Sequence, residues 1–255
     1  MAGPYVFPEA RPHGAISEPF PDVFFVTGTI RMPGPITVTC SRNMVVVRQG
    51  GELVLINTVR LDEQGLQALD ALGKVAHVLR IAGFHGSDDP FYKDRYGAKV
   101  WSVKGSAYTR GFALRPPDDA AYFQPDAWMD ETTTLPLAGR LYRFASVPNG
   151  EGLIVLDREG GIAVSGDALQ NWATADAYFN WLGRTSMRLM GFLRAHNVGP
   201  GWLKQTKPDP AELRGMLELP FEHVLPAHGS PVIGNARERY RPAIEAAARW
   251  ADKAH

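Results

Sequence analysis

Apolar and polar positions alternate along much of the first quarter of the chain, and the alternation predicts strands. Residues 23–30 read as a first strand and 37–40 as a second. Residues 43–48 and 53–57 flank Gln49-Gly50-Gly51-Glu52, so two β-rich runs about a Gly-Gly turn predict a hairpin. The period then changes. Leu66, Leu69 and Leu72 form a stripe that predicts a helix over 61–72, with Asp62 as its cap and Gly73 as its stop. A buried strand over 76–82, a helical turn or two over 91–96 and a strand over 99–103 follow. Further strands are predicted at 132–137, 141–147, 153–157 and 162–165, the last pair joined by Arg158-Glu159-Gly160-Gly161. Residues 171–197 read mostly as helix. Asp209-Pro210-Ala211-Glu212 starts a helix running to about Glu218, and Asn235 and Glu238 offer a capping box before a final helix over 242–253. Hairpins followed by alternating helices and strands predict a layered α/β fold.

The first 22 residues carry Pro4, Pro8, Pro12, Pro19 and Pro21 and read as an extended arm rather than strand or helix; residues 23–255 read as one domain. Charge changes the picture by exclusion. With 27 acidic and 27 basic residues there is no net basic face for nucleic acid. No apolar run reaches the roughly 18 residues of a membrane span. The single cysteine, Cys40, can form no intramolecular disulfide, which fits a reducing compartment, and no secretory signal is evident at Met1-Ala2-Gly3-Pro4. The expectation is a cytoplasmic protein acting on a small-molecule substrate or ligand. Cys40 reads as a small buried apolar residue.

Three strands end in groups that bind metals. Val78-Leu79-Arg80-Ile81-Ala82 runs into Phe84-His85-Gly86-Ser87-Asp88-Asp89-Pro90; Gly161-Ile162-Ala163-Val164-Ser165 runs into Gly166-Asp167; Glu222-His223-Val224-Leu225-Pro226 runs into Ala227-His228-Gly229. Imidazole and carboxylate are ligands for divalent metals, and strand tips are rigid places to hold them. Each residue also has a plain structural reading. Asp88 or Asp89 before Pro90 suits a helix start, Asp167 suits a cap, and His228 suits a donor to a buried backbone carbonyl. Glu151 reads either as a substitute ligand or base or as a solvated turn residue. The aromatic stretch 171–197 reads as a helix packed on the sheet or, alternatively, as a lid or a self-association surface that would make a homodimer.

These strand ends, in this order, resemble the metallo-β-lactamase superfamily over about residues 23–235. The resemblance implies an αββα sandwich, two mixed sheets flanked by helices. Of the family's His-x-His-x-Asp-His loop, His85 and Asp89 stand at family positions, while Ser87 and Pro90 replace histidines; Asn149 stands where a third is expected. Gly166-Asp167 and His228 match the later ligands. The resemblance thus implies a reduced site of His85, Asp89, Asp167 and His228, with His85 and Asp89 as its catalytic pair. It would hold one divalent metal, zinc first and iron or manganese next, or none. The activity implied is metal-dependent hydrolysis of a small ester, amide, thioester or lactone. The alternative is a metal-free member that binds a ligand or partner without catalysis.

Overall fold

The computed structural model describes residues 6–32, 37–109, 111, 114 and 120–254. Strands β1 (Ser17–Phe20), β2 (Val23–Met32), β3 (Val38–Gln49) and β4 (Glu52–Ile56) lead to helix α1 (Glu63–Asp70), β5 (Lys74–Arg80), α2 (Asp89–Tyr96), β6 (Lys99–Val103) and β7 (Ala127–Met129). These seven strands form one sheet in chain order, antiparallel up to β4 and parallel from β4 to β7. The second half supplies β8 (Gly139–Arg143), β9 (Gly152–Leu156) and β10 (Ile162–Ser165). The short β11 (Leu169–Gln170), α3 (Trp181–Leu189), β12 (Asn197–Val198), α4 (Pro200–Thr206), α5 (Pro210–Gly215), β13 (His223–Pro226) and α6 (Ala236–Ala254) complete it. The second sheet has the order β13-β10-β9-β8, with β10 and β13 parallel.

Alternation along the strands builds four layers. Val45 and Val47 of β3, with Ile154 and Leu156 of β9, face into the core between the sheets. Their neighbours face outward: Met44 and Val46 meet Leu66 and Leu69 of α1 and Tyr92 of α2. On the other side Leu153 and Val155 meet Trp202 of α4, Leu213 of α5 and Tyr240 of α6. The result is the αββα sandwich expected from the sequence. No helix among the described residues is long and apolar enough to cross a membrane.

Several elements differ from expectation. The proline-rich arm contains a true strand, β1, paired with β2, and the Pro12 carbonyl accepts from Thr29 N at 3.0 Å, so part of the arm extends the sheet. The strands expected at 37–40 and 43–48 are one strand, β3. No strand forms over 132–137. The Asp130 carboxylate accepts from the backbone N–H of Thr132 and from the hydroxyls of Thr132 and Thr133, a local turn that competes with a ladder. Leu135 and Leu137 still bury their side chains between the sheets. Within 171–197 only α3 is helical, capped by the Asn180 side chain, which accepts from Gly183 N. The last helix begins six residues earlier than Pro242, which lies inside it. The irregular loop expected over 115–124 lies partly outside the described residues.

Candidate metal centre

Asp167 and His228 owe their closeness to the parallel pairing of β10 and β13. Ser165 pairs with Pro226, and Asp167 and His228 each stand two residues beyond one member of that pair. His85 arrives from the other sheet, five residues past β5. His228 Nε2 lies 3.1 Å from Asp167 Oδ1, His85 Nε2 lies 3.3 Å from Asp167 Oδ2, and the two imidazole nitrogens are 3.2 Å apart. The structure therefore brings together three of the residues singled out in the sequence.

The proton inventory of this trio identifies what it lacks. His228 Nδ1 lies 3.2 Å from the Ser41 carbonyl, which can only accept, so the ring's proton sits on Nδ1. In that tautomer Nε2 faces a carboxylate oxygen as a second acceptor. Two acceptors this close need a cation between them, a proton or a metal. Asp167 Oδ2 is buried, with His85 Nε2 3.3 Å away. Burial by itself would raise the Asp167 pKa, but the His85 and His228 imidazoles outweigh it and hold the group below the usual carboxylate range. Burial pushes the His85 pKa down, against the pull of Asp167, which favours the neutral ring a metal ligand needs. The donor set of two imidazoles and one carboxylate fits a single divalent ion.

The fourth residue expected at the site, Asp89, is not one of this group. It is fully buried at the start of α2, where Thr58 Oγ1 donates to Oδ1 at 2.5 Å and Tyr108 Oη donates to Oδ2 at 2.6 Å. Its carboxylate ties α2 to the loop after β4. Burial raises its pKa against those two hydrogen bonds. Asp88 is the residue preceding α2, and its carboxylate pairs with Arg42. Asn149 is buried, and neither polar atom of its side chain has a hydrogen-bond partner among the described residues. Cys40 is buried beside the site, and burial, with Asp176 adding to it, pushes its thiol up to about 12; it packs as an apolar residue.

Three positioning residues were hidden in the sequence or only half seen. Asn43 Nδ2 donates to the carbonyls of Pro226 (2.8 Å) and Gly229 (2.7 Å), and Asn43 N donates to Ala227 O (2.8 Å), so β3 clamps the turn that carries His228. Ser41 holds the same turn through its carbonyl, and its hydroxyl accepts from Trp172 Nε1. Glu151 is fully buried rather than solvated. Its Oε1 accepts from Asp167 N (2.7 Å) and Ala168 N (3.2 Å), and its Oε2 accepts from Gly83 N (3.3 Å). Burial first, and the Asp167 charge second, raise its pKa well above the ordinary carboxylate value. Gly166 is glycine because a Cβ there would lie 2.4 Å from Ala82 Cβ and 2.6 Å from Glu151 Oε1. Truncating Asn43 to alanine leaves two buried carbonyls unpaired, and we expect a loss of about 2–4 kcal/mol in urea unfolding. A loss below about 0.5 kcal/mol would show that the clamp contributes nothing.

His85 stands where two cavities meet. One, of about 130 Å³, is mostly apolar, walled by Trp172, Met187, Phe192 and Trp202 and bordered by Asp167 and His228. The other, of about 420 Å³, is lined by arginines and by the arm.

No family model matches the chain, and no curated protein matches it. Solved structures do. The metallo-β-lactamase DIM-1 exposed to ceftazidime superposes with a TM-score of 0.57 at 13% identity, covering 98% of this chain and 100% of the other. The metallo-β-lactamase FIM-1 from Pseudomonas aeruginosa, in its mono-zinc form, gives 0.55 at 14% identity over 97% and 98%. A metallo-β-lactamase from Pontibacter korlensis gives 0.56 at 15% identity over 90% and 98%.

Proposed function

From the metallo-β-lactamase fold as frame, we propose that the protein is a hydrolase working with one divalent metal held by His85, Asp167 and His228. The observation that supports this reading is the convergence of two imidazole nitrogens and the two Asp167 carboxylate oxygens, with neighbouring atoms 3.1–3.3 Å apart. When bound, such an ion supplies Lewis acidity: it polarises a carbonyl oxygen and makes water a nucleophile near neutral pH. The protein's own part is positional. Ser41 fixes the His228 tautomer, Glu151 holds the Asp167 backbone against the Gly83 loop, and the Trp172 indole, 4.7 Å from the His228 ring, shields it on one side. The bond to be cleaved belongs to a small ester, amide, thioester or lactone, a substrate range taken by analogy from the fold. Zinc is the first choice of metal.

Metal analysis tests the reading. Protein purified without chelator, or supplemented and desalted, is expected to carry about one equivalent of zinc, iron or manganese. Less than a tenth of an equivalent of any of them would leave a metal-free binding protein as the better description.

A further inference from the structure

We propose that the ligand of this site is a compact oxyanion-bearing molecule, its carboxylate or phosphate lying among Arg11, Arg31, Arg42 and Arg60 and its apolar part in the slot beside Trp172. The inference rests on the hydrolase reading only for what happens at the junction, where Ile30, Phe84 and His85 line both cavities.

Charge carries the first half of the argument. The chain as a whole is neutral, yet among the described residues lining the larger cavity four guanidinium groups face two carboxylates, Glu9 and Asp88. Asp88 is already engaged: it pairs with Arg42 and accepts from Arg60 N at 2.8 Å. The Arg42 side chain is only 8% exposed, and its buried Nε finds no acceptor among the described residues. The buried Nε and Nη1 of Arg60 find none either. The Arg60 Cζ stands over the Phe91 ring, 3.0 Å from its centroid. The ring holds the Arg60 side chain at the cavity, and a guanidinium carries its N–H donors around its edge, the geometry that pairs with an oxyanion. A buried donor without an acceptor is costly, and a bound oxyanion removes that cost.

Size carries the second half. The apolar slot, about 130 Å³, is close to the roughly 150 Å³ of an engineered apolar cavity that takes up benzene, so it holds one ring or a short branched chain. A ligand with its anion on one side and such a group on the other must cross His85 between them.

The test uses the full chain and three probes: phenylacetate, phenyl phosphate and the neutral phenylacetamide. Calorimetric titration is run on zinc-loaded protein and again after chelator, so that direct coordination to metal cannot imitate the arginine site. At least one anion is expected to bind about tenfold or more tightly than the amide in both states, and the tighter of the two anions identifies the head group. Arg60→Gln should erase most of that preference and leave amide binding unchanged. Should that variant fold poorly, Arg31→Gln, at an exposed strand position, carries the same comparison. Equal affinities for acid and amide, or an anion preference that survives both substitutions, overturns the proposal. Anion preference without any metal binding removes the hydrolase reading and keeps this one; metal binding without anion preference does the reverse.

Discussion

Asp167→Ala is expected to abolish the metal-dependent rise in melting temperature altogether. A ligand held at a thousand times its dissociation constant stabilises the folded state by about 4 kcal/mol. For a chain of this size that corresponds to a shift on the order of 10 °C. Among the described residues Asp167 is the only carboxylate in the cluster and the residue that both imidazoles approach, so its removal leaves two imidazole nitrogens 3.2 Å apart and no carboxylate between them. Asp167→Asn keeps the shape and one oxygen acceptor, and separates a folding defect from a ligand defect. Scanning calorimetry with and without zinc measures both variants. A rise in either variant equal to that of the wild type would mean that the metal binds elsewhere or through the imidazoles alone.

The second large effect is expected at a residue that touches no substrate. Glu151→Ala strips the acceptor from three backbone N–H groups, those of Gly83, Asp167 and Ala168. Buried donors left unpaired cost about 1–3 kcal/mol each, and partial relaxation brings the total to about 3–5 kcal/mol. That is a large share of the roughly 5–15 kcal/mol that holds a typical domain together. Metal affinity should fall by about 10–100-fold, because the backbone carrying Asp167 is no longer fixed. Glu151→Gln retains one acceptor oxygen and should lose less on both counts. Urea unfolding and competition with a chromogenic chelator provide the two readings. An alanine variant as stable as the parent would reduce Glu151 to a bystander.

The sequence shows the fold through its periods. Alternation in β3 and β9 assigns their two faces, and the leucine stripe of α1 with its Asp62 cap is visible residue by residue. It shows the three clustered residues because each one follows a short apolar strand. What it hides are contacts made through backbone atoms of distant segments. Nothing about Asn43 in a valine-rich strand announces that its amide grips Pro226 and Gly229 across the fold. Glu151 stands in a turn by local sequence, yet the approach of Ala82 and the Gly166 turn excludes water from it. Asp89 is the opposite case: the family position marks it as a ligand, while the hydroxyls of Thr58 and Tyr108 take both its oxygens. The missing strand at 132–137 follows from a third cause, a carboxylate at Asp130 that binds the next residues more locally than a neighbouring strand could.

The parallel ladder between β10 and β13 sets one distance in the cluster, and the packing of the two sheets sets the others. Asp167 and His228 ride on the same sheet and keep their spacing whatever that sheet does as a body. His85 belongs to the opposite sheet, joined near the cluster by Gly152 N donating to Ile81 O at 2.9 Å. An ion gripped by all three would therefore act as a rivet between the two halves of the sandwich. Conversely, any repacking of the interior that slides one half by an ångström would first be felt as a loosened grip on the ion, before the fold itself gave way.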